Sequence, residues 1–144
     1  MKSYEKEQSR IDRYCAEVKR ELPENVRKWV SRHVIYNMLN FEGRHYMSSV
    51  AACASPLYGK THEITFYNSD YLRRMPKESL KAVIAHEIAH CWLGQKTHHD
   101  KVAENIIERF EVDADNQVIA WGFDIDGLNK YSEKWVAKRK PKEV

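Results

Sequence analysis

The sequence predicts a single α+β domain over 1–144, mostly helical, with a small sheet and one central buried helix. Three observations predict it. At 144 residues the chain has the size of one ordinary domain. A hydrophobic share of 42% and a charged share of 31% suit a packed core rather than a disordered chain. Long segments with apolar residues three and four apart are interrupted by two short runs without that spacing.

Residues 3–20 alternate charge with Ile11, Tyr14, Cys15 and Val18, which fall on one helical face. Pro23 punctuates the chain. Over 24–40, Val26, Trp29, Val30, His33, Val34 and Met38 repeat the stripe, and the spacing predicts a helix across that span. Gly43 breaks it. Small and β-branched residues from Arg44 to Ala54 predict a strand, and Ser55-Pro56 with Gly59 a turn. His62 to Asn68, HEITFYN, reads as a second strand, closed by turn chemistry at Asn68-Ser69-Asp70.

Pro76 suits the first turn of the next helix, where its missing N–H is no loss. That helix runs over 77–93 to a natural stop at Gly94. Leu80, Val83, Ile84, Ala85, Ile88, Ala89, Trp92 and Leu93 surround nearly its whole circumference, so it belongs in the middle of the domain. A further helix covers about 100–121, ended by Gly122, and a last one about 127–138. The basic tail Lys138-Arg139-Lys140-Pro141-Lys142 reads as a solvated terminus.

Composition narrows the function classes. No run of about 18 apolar residues occurs, so no membrane span is expected. The N-terminus is charged and lacks an apolar signal core, so the cytoplasm is the expected compartment. A net charge of +3 is too mild to imply a nucleic-acid or membrane partner. Cys15, Cys53 and Cys91 cannot all pair within one chain and share no CxxC spacing, so they read as buried thiols. Trp29, Trp92, Trp121 and Trp135 all fall in predicted helices and read as packing residues.

Seven histidines are the unusual count. Two of them stand in His86-Glu87-Ile88-Ala89-His90, an HExxH inside the buried helix. Four residues apart on a helix, both imidazoles can face one ion. Glu87 projects about 100° further round, beside that ion, where a carboxylate can take a proton from a water. Burying two His and a Glu among apolar residues is costly unless a partner such as a metal is present. A catalytic zinc commonly takes three protein ligands and keeps a position open. Glu104, Glu108, Glu111 and Asp115 lie on one face of the following helix, and their periodicity supplies a carboxylate without choosing which.

His86-Glu87-x-x-His90 followed by Glu111-Val112-Asp113-Ala114-Asp115 resembles the gluzincin metallopeptidases, over roughly residues 60–123. The resemblance implies a zincin-like fold with a central HExxH helix. It implies Zn2+ held by His86, His90 and Glu111, with Glu87 as general base in peptide-bond hydrolysis. Asp115 would hydrogen-bond a zinc histidine and fix its orientation. Ala114 would let two helices approach. The strand His62 to Asn68 would lie at the sheet edge over the cleft and take an extended peptide or protein substrate as an added strand. His98, His99, Arg109 and Tyr131 are open as donors to a developing oxyanion.

Two other readings are open at this level. A SprT-like zinc protease would use His98 or His99 as third ligand, although Leu93 and Lys96 stand where an extended HExxHxxGxxH needs Gly and His. A catalytically inactive metal-binding regulatory module would close the site with a fourth ligand, such as Cys15 or Cys53. Substrate identity and oligomeric state are not encoded in any pattern found.

Overall fold

A computed structural model describes residues 3–40, 50–95 and 104–139. The order is α1 (Ser3–Glu21), α2 (Glu24–His33), β1 (Val34–Asn40), β2 (Ala52–Pro56), β3 (His62–Asn68), α3 (Asp70–Arg73), α4 (Lys77–Trp92), α5 (Glu104–Ala120) and α6 (Ile125–Arg139). The described residues form an α+β structure, mostly helical, with one three-stranded mixed sheet. None of their helices is long and apolar enough to cross a membrane.

The helix expected over 24–40 stops at His33, and Val34–Asn40 is strand β1. The misreading has a physical source. Val34 and Met38 are four residues apart, a separation that satisfies both a helical period and a strand period of two. Burial decides between them. Val34 and Met38 are buried, while Ile35 and Asn37 between them and Leu39 beyond are exposed. Parallel pairing of β1 with β3, from Val34 opposite His62 to Asn40 opposite Asn68, supplies the backbone partners a helix would have provided.

The strand order is β1-β3-β2, so β3 is central and not the edge strand expected. The edge beside α4 is β2, antiparallel to β3. The strand expected over 44–54 falls partly on 41–49, outside the described residues. Its end overlaps β2, which runs on through Ser55-Pro56 where a turn was expected. The turn follows instead, with Gly59 at φ 53° and Leu57 N–H donating to Thr61 C=O at 2.9 Å. After β3, Ser69 caps the short α3 by accepting from Leu72 N–H at 3.3 Å. Arg10 of α1 fixes the end of that helix by donating to the carbonyls of Leu72, Arg73 and Met75.

The core is built on α4, whose residues from Ser79 to Cys91 are all buried except His86. Helix α1 covers one side of it, the sheet another, and α5 and α6 the rest. Both α4 and α5 end at a left-handed glycine, Gly94 at φ 66° and Gly122 at φ 90°. The tryptophans serve packing as expected. Trp135 is buried against Tyr71, and Trp29 meets Trp92 edge-on with ring centroids 5.5 Å apart. His33 and His62 flank Trp29, which accounts for two histidines outside the motif.

Candidate metal centre

Helical spacing on α4 brings His86 and His90 edge-to-face, with Nε2 atoms 2.9 Å apart. Helix α5 crosses α4 at Ala114, which is fully buried and too small to hold the helices apart. The crossing delivers Glu111. Its Oε2 lies 2.8 Å from His86 Nε2 and its Oε1 lies 3.1 Å from His90 Nε2. One ligand atom from each of His86, His90 and Glu111 therefore lies within 4.8 Å of the other two.

The outer ring nitrogens are also occupied. Asp115, one turn after Glu111, places Oδ1 2.8 Å from His86 Nδ1. Gln95 places Oε1 2.8 Å from His90 Nδ1. Both acceptors draw the imidazole proton to Nδ1. In the neutral rings that leaves both Nε2 lone pairs and the Glu111 carboxylate aimed at one point. Such a cluster needs a cation among its acceptors, either a second ring proton in the unloaded chain or a metal ion that displaces it. The donor set of two imidazoles and a carboxylate fits a divalent transition metal, zinc included.

In the unloaded chain a proton on His86 takes that place. Burial alone would lower the His86 pKa, but its bonds to Asp115 and Glu111 prevail and hold it up at about 10. Burial would raise Glu111, yet hydrogen bonds from His86 and His90 keep it well below the usual carboxylate range. Glu87 is buried beside them, and burial pushes its carboxyl up to about 7, the two imidazoles pulling the other way.

His86, Glu87, Glu111 and Asp115 line a cleft of about 240 Å³. Val50, Ala51 and Ala52 at the start of β2 contribute to its wall, as do Tyr71, Leu128, Asn129 and Ser132. The hydroxyls of Tyr71 and Ser132 are hydrogen-bonded to each other.

The structure thus brings together His86, Glu87, His90, Glu111 and Asp115. Glu104 and Glu108 of the acidic stripe stay exposed and outside the cluster. Among the oxyanion candidates, Tyr131 donates to Tyr71 C=O at 2.7 Å, and neither it nor Arg109 lines the cleft. His98 and His99 lie outside the described residues. Cys15 is buried, and Cys53 Sγ lies 3.0 Å from the Tyr67 hydroxyl; neither joins the cluster. Sequence reasoning missed Gln95, Tyr71, Asn129 and Ser132. Only Gln95 had a local signal, its place directly after the helix-stopping Gly94.

No protein-family description, curated protein or solved structure matches this chain.

Proposed function

We propose that this chain is a zinc metallopeptidase of the gluzincin type, with a zincin-like arrangement of α4, α5 and the sheet. The observation that carries the reading is the convergence of His86 Nε2, His90 Nε2 and Glu111 on one point, with buried Glu87 beside it in an open cleft. His86, His90 and Glu111 would hold the metal. A divalent zinc there supplies Lewis acidity, lowering the pKa of a water and polarising a peptide carbonyl. Glu87, with a pKa near 7, accepts a proton from water and returns it to the leaving amine. Asp115 holds the His86 ring through Nδ1.

Substrate alignment belongs to β2 in this reading. Tyr67 N–H donates to Ala51 C=O at 2.8 Å, and hydrogen-bonded pairs alternate along an antiparallel ladder. Residues 51, 53 and 55 therefore face β3, while Ala52 and Ala54 turn their N–H and C=O groups outward. Among the described residues no further strand pairs with β2. An extended peptide can add there and cross the cleft. Pro56 also faces outward but has no N–H, so it ends the docking edge. The three thiols are all free, which fits a cytoplasmic enzyme.

A structural metal in a closed site is the weaker reading, because three groups converge and the site borders a cleft. The test is hydrolysis of an unstructured peptide library by wild type and by Glu87→Gln, with zinc content measured in both. We expect equal zinc and a rate lower by about 10²- to 10⁴-fold in the variant. Equal rates would end the general-base role. A wild type that stays metal-free after reconstitution would end the zinc reading.

A further inference from the structure

The two histidines are oriented by different devices. His86 is held by a carboxylate from another helix. His90 is held from just past the end of its own helix, by the residue that follows the helix stop.

Gly94 takes φ 66°, a conformation that glycine adopts without steric cost. The turn it makes closes α4 with two backbone bonds. Gly94 N–H donates to Cys91 C=O at 3.1 Å, and Gln95 N–H donates to His90 C=O at 3.0 Å. This is the paired closure of a Schellman motif, and it folds the chain back over the last turn. Gln95 is thereby fastened to His90 through its backbone. Its side chain returns to the same residue, with Oε1 2.8 Å from His90 Nδ1. His90 is 2% exposed, so without Gln95 its Nδ1–H would be buried with no acceptor shown.

We propose that Gln95 is a positioning residue of the metal centre, fixing the His90 ring and its Nδ1–H tautomer so that Nε2 is presented to the ion. The proposal rests on the metal reading above and deepens it. It makes the helix stop Gly94-Gln95 part of the site. The amide suits the task, because it accepts a hydrogen bond without adding a further carboxylate to Glu87, Glu111 and Asp115.

Zinc itself is the probe, with affinity measured by chelator competition on the full chain. Gln95→Leu removes the acceptor, keeps similar bulk and leaves the backbone closure intact. It should bind zinc about 10- to 100-fold more weakly, the usual effect of losing such a hydrogen bond. Gln95→Glu keeps an acceptor and should stay within about threefold of wild type, on the scale set by that same loss. Nitrogen-15 spectra of the zinc-loaded wild type should show the His90 proton on Nδ1, slow to exchange. In Gln95→Leu it should exchange rapidly.

Wild-type affinity in Gln95→Leu would overturn the proposal. So would equal losses in the Leu and Glu variants, which would mark the position as merely structural. A His90 proton on Nε2 in the zinc-loaded wild type, with Nδ1 binding the zinc, would overturn it without any variant. Failure of the wild type to take zinc would instead remove the metal reading on which the proposal stands.

Discussion

The two halves of α4 bury charge in opposite ways. In the first half, Lys81 is 5% exposed, and its Nζ lies 2.7 Å from Glu21 and 4.0 Å from Glu17 of α1. Glu17 also meets Lys77 at 3.2 Å. This cation finds its anions within the chain, and the cluster is complete. In the second half, His86, His90 and Glu111 converge on one point, where the unloaded chain holds only an exchangeable proton on His86. A buried ionic group with its partners ties two helices together. An acceptor set whose cation is an exchangeable proton can take a metal in its place. The difference is one of completeness: the first cluster carries its own lysine, while the second borders a cleft and holds only a proton.

The largest test of this contrast is loss of a proposed ligand. Glu111→Ala should weaken zinc binding by more than the roughly 100-fold that an outer hydrogen bond commands. The His98→Ala/His99→Ala double variant should keep wild-type affinity. Full zinc retention in Glu111→Ala would transfer the third ligand elsewhere. Next in size is metal removal. Zinc at about 100 times its dissociation constant should add about 2.7 kcal/mol to stability, raising Tm by roughly 5–10 °C over the chelated protein. No shift in a calorimetric scan would mean that the second half of α4 is as complete as the first.

Lys81→Met probes the other half. Glu21 is half exposed and regains water when the lysine is lost, so the cost should be about 1 kcal/mol by denaturant titration. Zinc affinity should not change. A change would show the two halves to be coupled. The smallest expected effect concerns Cys91, next to His90. Burial pushes its pKa up to about 12, so at pH 8 only about one molecule in 10⁴ carries the reactive thiolate. Cys53, only partly buried, should be alkylated first. Zinc should not alter the Cys91 rate, and protection by zinc would make that thiol part of the site.

The site was more legible than the sheet. HExxH and the acidic stripe rely on helical spacing, which is local, and α4 and α5 hold that spacing over many turns. Glu111 was singled out by resemblance, since periodicity offered Glu104 and Glu108 equally. The strand β1 was hidden because Val34 and Met38 serve two periods at once. Its parallel pairing with β3 is a long-range event, and without it β3 reads as an edge. Gln95 escaped for a related reason. A single glutamine carries no pattern, and its role comes from the direction the chain takes after Gly94. Tyr71 and Ser132 meet across 61 positions of sequence, which no local rule anticipates.

Helix α5 buries only Ala114 and Val118, while Ile106, Val112 and Ile119 stay exposed. Its packing on α4 thus rests on a small apolar footprint of two buried side chains. Its polar links to α4, Glu111 and Asp115, both end on the proposed metal centre. On the proposed metal reading, cation loading and helix docking would be coupled. In the unloaded chain the amides of α5 should open to solvent and exchange ahead of those in α4, as a separate cooperative unit. A metal taken up at this centre would act as the clasp that completes folding.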